Sequence, residues 1–341
     1  MKGFNFIRVG ICLTAIFSAD RPQLLAEITD STLREGVRFH FQEEFSQAEK
    51  KFLEIAQSDT ASPVGFFYLA LNYQAQMLDL ESNFKEEPYR AALERVITLC
   101  QARLTKSKND ARALLYLGNA YGSRAVYRAR QGSWYDAFKQ GLKAKDYWEK
   151  AIEADSTLWE AYGGLGSYFY WKSEAVKSLH WLPFVSDNRK KGIKMIALAA
   201  DSSGLYRDFA LSNLMWIYIK EKDYSQALAL ADDFENKYPQ AKFPLWAKLY
   251  VFSEQEQWEN TLEVAERLLT RLLESQPFNY YNLIEVEYQK LNCLHQLGRT
   301  REAYQLCQKI LGHPLDDRTK NRQREKLNKV RELSTRLKPK P

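Results

Sequence analysis

Side chains that could perform catalysis or bind a metal are few and scattered along this chain of 341 residues. No HExxH or CxxC pattern joins a histidine to a second ligand, and no GxSxG motif places a nucleophile. The glycines at 163–166 are not followed by the Gly-Lys-Ser/Thr of a phosphate-binding loop. The sequence therefore predicts a protein that is not an enzyme and holds neither metal nor cofactor; its four histidines are His40, His180, His295 and His313.

Two of the four cysteines are predicted to lie close together. Cys293 and Cys307 lie on the two helices predicted for the last repeat, so they could form a disulfide. Cys307 also occupies a position that requires a small residue, where a buried free thiol packs well. Spacing alone does not choose between these alternatives, because a disulfide demands a specific geometry.

Small and large residues recur at fixed spacing through most of the chain. The spacing matches the 34-residue tetratricopeptide repeat (TPR), in which two antiparallel helices approach closely where a small residue of one faces a large residue of the other. The chain resembles the TPR family over most of 30–315. The pattern is clearest in one set in the fifth repeat: Leu214, Tyr218, Ala227, Ala231, Phe234 and Pro239.

The resemblance implies an all-α, right-handed TPR-type solenoid of about seven helix pairs with a C-terminal capping helix, since one pair cannot bury its apolar face alone. Units two to four, spanning 64–201, are enlarged relative to a 34-residue repeat. The predicted units are 32–62, 64–106, 111–156, 158–201, 206–240, 244–276 and 281–313.

The first 29 residues are predicted to lie outside the repeats. Lys2 and Arg8 precede an apolar run from Val9 to Ala19, which is typical of an export signal and short for a transmembrane helix. Bulky Phe17 or Leu24 precedes each candidate cleavage site, so a retained anchor and a buried cytoplasmic extension stay open as alternatives. We expect export to the periplasm or cell envelope.

The formal charge of +6 is concentrated in residues 316–341, which we predict to form a basic capping helix and tail. Leu327, Val330, Leu333 and Leu337 recur at helical spacing, as expected of a helix docked on the last repeat. The alternative is contact of 318–326 with phosphate or an anionic lipid surface. The preceding residues carry equal numbers of acidic and basic side chains, which argues against a nucleic-acid-binding groove.

The central segment departs from a plain repeat. Gly166-Ser167-Tyr168 with Ser173, the stretch from Trp181 to Phe184, and Asp187 with Arg189 and Gly192 resemble a TPR family of eukaryotes and bacteria that includes a fungal protein associated with clearance of lipid inclusions. That resemblance implies an all-helical protein with an enlarged middle and no catalytic residues. Close helix packing is the simplest explanation of the glycines in this segment.

Two functions follow as hypotheses. The first is an interaction scaffold whose concave groove binds a protein or peptide; its candidate groove residues are Asn119, Arg124, Tyr127, Tyr162, Tyr168, Lys172, Asn213 and Tyr218. The second is a carrier of a lipid or hydrophobic small molecule in the central repeats. Its wall, or alternatively a membrane-contacting loop, would be formed by Trp134, Trp171, Trp181, Leu182 and Phe184. Any other membrane contact is assigned to the N-terminal segment or the basic tail.

Overall fold

The structure, a computed structural model, describes residues 21–179, 186–275 and 278–339. Within these ranges the chain forms only helices and their connections, and seven antiparallel pairs follow one another along a solenoid. The pairs are α1 (Arg21–Phe41) with α2 (Phe45–Ser58), α3 (Val64–Asp79) with α4 (Glu86–Lys106), α5 (Ala111–Arg130) with α6 (Trp134–Ala154), α7 (Trp159–Ala175) with α8 (Arg189–Ser202), α9 (Arg207–Lys220) with α10 (Tyr224–Lys237), α11 (Phe243–Glu254) with α12 (Trp258–Glu274), and α13 (Tyr280–Gln296) with α14 (Thr300–Leu311). The predicted all-α TPR-type solenoid is confirmed.

The small-to-large pattern determines how the helices meet. Phe52 is fully buried, and its ring lies where a side chain at Gly36 would be. In the same way, the indole of Trp148 lies where side chains at Gly118 of its own unit and Gly164 of the next unit would be. Larger residues at these glycines would hold the helices apart, so the glycines bring each pair to packing distance.

Longer helices account for the enlargement of units two and three. Helices α4, α5 and α6 have 21, 20 and 21 residues, whereas α9 and α10 have 14 each. Helix α1 begins at Arg21, inside the segment 1–29 in which we predicted an export signal; residues 1–20 lie outside the described residues. Among the described helices, none has the length and apolar character needed to cross a bilayer.

The chain ends in a short helix α15 (Asp317–Arg322) and the helix α16 (Arg324–Leu337). Leu327, Val330 and Leu333 of α16 are buried in one cluster with Leu306 and Ile310 of α14, and Leu337 packs against its edge. This helix caps the apolar face of the last pair, as the fold prediction required.

We expect Leu327→Ala to lower the free energy of unfolding by about 2–3 kcal/mol, because it removes buried methyl groups from the capping contact. The matched change Arg331→Ala, at an exposed position of the same helix, should cost less than about 0.5 kcal/mol. Urea unfolding followed by circular dichroism measures both. Equal effects would show that α16 contributes no packing to the last pair.

Cys100, Cys293 and Cys307 are buried free thiols, and Cys12 lies outside the described residues. Cys293 and Cys307 share the cluster beneath the cap, where burial raises the pKa of Cys293 to about 11 and also raises that of Cys307. Of the two alternatives for this pair, the structure has the packed thiol rather than the disulfide.

Candidate functional site

The solenoid turns far enough for its first two units to touch its last three. Glu43 lies in the turn after α1, and its Oε1 accepts a hydrogen bond of 3.0 Å from the backbone N–H of Phe243, the first residue of α11. The Nζ of Lys242 lies 2.7 Å from Glu43 Oε2 and 3.3 Å from Asp79 Oδ2. Residues some 200 positions apart in sequence are therefore joined.

A second link lies beside the first. Arg322 of α15 donates from Nη2 to Glu81 Oε2 at 2.7 Å, and its guanidinium carbon lies 4.0 Å from the ring centre of Tyr281. Arg322 of the tail is thus engaged within the fold, and contact of 318–326 with an anionic surface stays a prediction. We call Glu43, Asp79, Glu81, Lys242 and Arg322 the closure cluster.

Two of these carboxylates stand on strained backbone. Glu43 and Glu81 have φ of 62° and 49°, the left-handed region that disfavours residues with a Cβ. In units three and seven the corresponding turn contains Gly132 and Gly298, with φ of 78° and 71°. The turn geometry directs both glutamates towards the far end of the solenoid.

Next to the closure cluster lies an open cavity of about 770 Å³, which we call the inner cavity. Its lining comes almost entirely from the first helices of units one, two, five, six and seven and from the turns that follow them. First helices form the inner surface of a TPR solenoid. The rings that line it are Phe41, Phe45, Trp216, Phe243, Trp246, Tyr250 and Tyr281, together with His40.

The charged residues that line the inner cavity are all acidic. Five carboxylates line it, and none of its described lining residues is lysine or arginine. Burial lowers the pKa of His40 to about 4, against a smaller opposing effect of its hydrogen bond to Asn72, so the imidazole is neutral at pH 7. The carboxylates are Glu43, Asp79, Glu81, Glu254 and Glu285.

The predicted groove residues lie elsewhere, and two of them have internal roles. The Oδ1 of Asn119 accepts a hydrogen bond of 2.8 Å from Trp148 Nε1, which fixes the indole in its slot between glycines. Asn213 accepts from Trp171 Nε1 at 3.3 Å and donates to Ser167 Oγ at 2.7 Å. Both amides therefore join neighbouring helices of the solenoid.

The other predicted groove residues vary in exposure. Tyr127 is buried, Arg124 pairs with Glu94, and Lys172 is exposed with its Nζ 5.8 Å from the ring centre of Tyr168. Tyr162, Tyr168 and Tyr218 are half-buried. None of the eight lines the inner cavity. Their contact with a partner stays a prediction.

The residues predicted for a carrier wall do not enclose a space in the described chain. Trp134 is 68% exposed and Trp171 42% exposed, and neither lines the inner cavity. Trp181, Leu182 and Phe184 lie outside the described residues. The carrier hypothesis gains no support from these positions.

The segment that resembles the lipid-inclusion family forms the joint between α7 and α8. Gly166 and Gly192 bring the two backbones into contact, so that a Cβ on either would lie within 3 Å of the other helix. Ser173 Oγ accepts a hydrogen bond of 2.9 Å from the backbone N–H of Asn188, and Arg189 pairs with Asp187 and with Glu221 of the next unit. These residues stabilise the joint, and packing explains the two glycines.

In the part of the chain that the structure describes, no group of three or more potential metal ligands occurs. His40 bonds Asn72, and His313 lies 2.7 Å from the fully buried Glu287, so these two histidines are tied to different parts of the fold. His180 lies outside the described residues.

Comparison with known proteins identifies the fold. No protein-family model and no curated protein sequence matches the chain. A solved structure of the anaphase-promoting-complex hetero-tetramer Cut9–Hcn1 is similar, with a TM-score of 0.52 and 12% identity over 93% of this chain and 53% of that one. This chain therefore spans about half the length of that relative.

Two further solved structures align with lower TM-scores. PilW, a type IV pilus biogenesis factor, has a TM-score of 0.48 and 14% identity over 77% of this chain and 98% of its own. A tetratricopeptide repeat protein of Parabacteroides merdae has a TM-score of 0.37 and 10% identity over 91% of this chain and 99% of its own. At such identities the likeness concerns the fold alone.

Proposed function

We propose that this chain, which has the fold of a tetratricopeptide repeat protein, is a non-catalytic interaction scaffold that binds an extended segment of a partner protein on its inner surface. The observation that carries the proposal is the inner cavity. It is concave, mostly apolar and of a size typical of binding sites. Trp216 and Tyr250 in its lining are 38% and 49% exposed, so the cavity presents two large aromatic side chains of the kind that dominate protein interfaces.

The experiment uses a phage-displayed library of random dodecapeptides selected on the immobilised full chain. We expect enriched peptides that compete with one another, because they share one site. Hydrogen exchange with a synthetic enriched peptide should protect amides of α9, α11 and α13, whose side chains line the inner cavity. Absence of enrichment over an immobilised albumin control, or protection confined to the outer helices, would contradict the proposal.

We further propose that the scaffold acts in the bacterial cell envelope. The support is the N-terminal sequence, in which Lys2 and Arg8 precede the apolar run 9–19. Residues 1–30 fused to alkaline phosphatase lacking its own signal should give periplasmic phosphatase activity. The same fusion with Leu13 and Ile16 changed to Arg should be inactive. An inactive cytoplasmic fusion with the unchanged segment would refute export.

A further inference from the structure

Resting on the proposed function, we infer that the inner cavity selects a partner segment carrying arginine or lysine, whose cationic group enters between the carboxylates and the aromatic rings. The first argument is charge. Five carboxylates and no described lysine or arginine line this cavity, although the protein as a whole carries more basic than acidic residues. The neutral His40 adds no opposing charge at pH 7.

The cations that pair with four of these carboxylates come from outside the lining residues of the cavity. Lys242 forms ion pairs with Glu43 and Asp79. Glu81 pairs with Arg130 and Arg322. The Nζ of Lys326 lies 2.8 Å from Glu285 Oε1. In each case the basic residue belongs to the surrounding structure and is absent from the cavity lining. The carboxylates are thus positioned by the fold, as binding groups must be.

Two of these carboxylates keep an oxygen that accepts no hydrogen bond from the described residues. Among the described residues, the ion pairs and hydrogen bonds of the Glu81 carboxylate use Oε2, and those of the Glu285 carboxylate use Oε1. The second oxygen of each stays available. Glu254 is exposed and has no ion pair within the described chain. A guanidinium or ammonium group requires several acceptors, and a carboxylate that keeps a free oxygen supplies them.

The rings provide a second means of recognition. A cation placed over the face of a tryptophan or tyrosine is attracted by the ring, and more strongly where water is excluded. Trp216 and Tyr250 are exposed enough to receive such a group, and Arg322 already takes this position over Tyr281. An acidic segment would meet carboxylates and ring faces, both of which repel it. The chemistry therefore favours a basic segment.

The test uses peptides enriched from the random library on the wild-type chain. We expect arginine or lysine in every enriched family. Synthetic peptides in which arginine is replaced by citrulline, or lysine by acetyl-lysine, keep the shape and lose the charge. They should bind at least about tenfold more weakly, the loss of one well-placed cation–π or charge-assisted contact.

Variants of the protein locate the effect. Glu254→Gln and Tyr250→Ala, both at exposed positions, should each weaken binding several-fold without changing the thermal transition. Glu259→Gln and Tyr135→Ala remove the same side-chain types at exposed positions outside the inner cavity and should leave binding unchanged. The thermal transition of each variant verifies that it folds.

The possible outcomes separate this inference from the proposed function. If peptides are enriched but lack basic residues, are acidic, or bind equally with citrulline, the cation selection is wrong and the scaffold stands. The same conclusion follows if all four variants bind like the wild type. If no peptide is enriched, the scaffold proposal itself fails.

Discussion

Gly192→Ala is expected to lower the free energy of unfolding by about 3 kcal/mol, although alanine is the better helix former by close to 1 kcal/mol. A Cβ at this position would lie 2.5 Å from the carbonyl oxygen of Gly166 and 2.9 Å from the backbone nitrogen of Tyr170. Both neighbours are backbone atoms, so they yield only if α7 and α8 separate. Steric overlap therefore outweighs helix propensity.

The matched control is Gly204→Ala. A Cβ at Gly204 meets nothing within 4 Å, and the change should alter stability by no more than about 0.5 kcal/mol. Urea unfolding with a common slope measures both variants. If Gly192→Ala were as stable as Gly204→Ala, the two backbones would not meet at this joint.

Lys242→Met is expected to cost about 3–5 kcal/mol at pH 7, since it leaves two carboxylates that are only 12% and 17% exposed without their cation. The side chain of Lys242 is 9% exposed, and the change retains most of its apolar volume. A variant that also carries Glu43→Gln and Asp79→Asn should recover much of the loss, because it removes the uncompensated charges together. Chemical unfolding of the three proteins gives the coupling directly.

The cost of Lys242→Met should shrink as the pH falls from 7 to 5. Burial, and then the charge of Glu43, raises the pKa of Asp79 to about 6 even with Lys242 present. A carboxyl whose pKa is raised by folding favours the folded state below its unfolded pKa, and this contribution is lost as the pH rises through about 6. Without Lys242 the raised pKa should lie higher still, so acid restores more stability to the variant than to the wild type.

His40 changes stability with pH in the opposite direction, so its contribution must be separated from that of Asp79. Its lowered pKa contributes stability above about pH 6.5 that is lost as the pH falls towards 4. Both proteins contain His40, so its contribution cancels in the difference between them. A difference that stays constant from pH 7 to pH 5 would contradict the assignment of Asp79 as a strained carboxylate.

Local packing made the solenoid predictable. Tyr218 and Ala227 in the fifth unit, or Gly36 and Phe52 in the first, carry the spacing of two helices in contact, and both partners lie within one repeat. The sequence therefore indicated the seven pairs and the stripe of the capping helix. The glycines of the centre were likewise consistent with close packing.

The inner cavity could not be predicted in the same way. The cavity depends on a small rotation per unit that accumulates along the solenoid until Glu43 reaches Phe243. No sequence pattern within a single repeat shows how large the total rotation is. Glutamate in place of glycine in the turns at 43 and 81 was a signal, but Lys222 and Glu256 occupy the same kind of backbone without joining the closure cluster. The predicted groove asparagines were chosen by their place in the repeat, which does not show that tryptophans on neighbouring helices engage them.

Contact between the two ends of the array also restricts how such a gene can change. Open solenoids gain or lose whole repeats by duplication and deletion, because each unit touches only its neighbours. Here one extra helix pair between units two and five would carry Phe243 and Lys242 past Glu43 and Asp79, and one pair fewer would stop them short. The contact between the two ends therefore fixes the number of repeats between these positions. Such a gene can still change by single substitutions, but it cannot gain or lose a whole repeat there without breaking the contact.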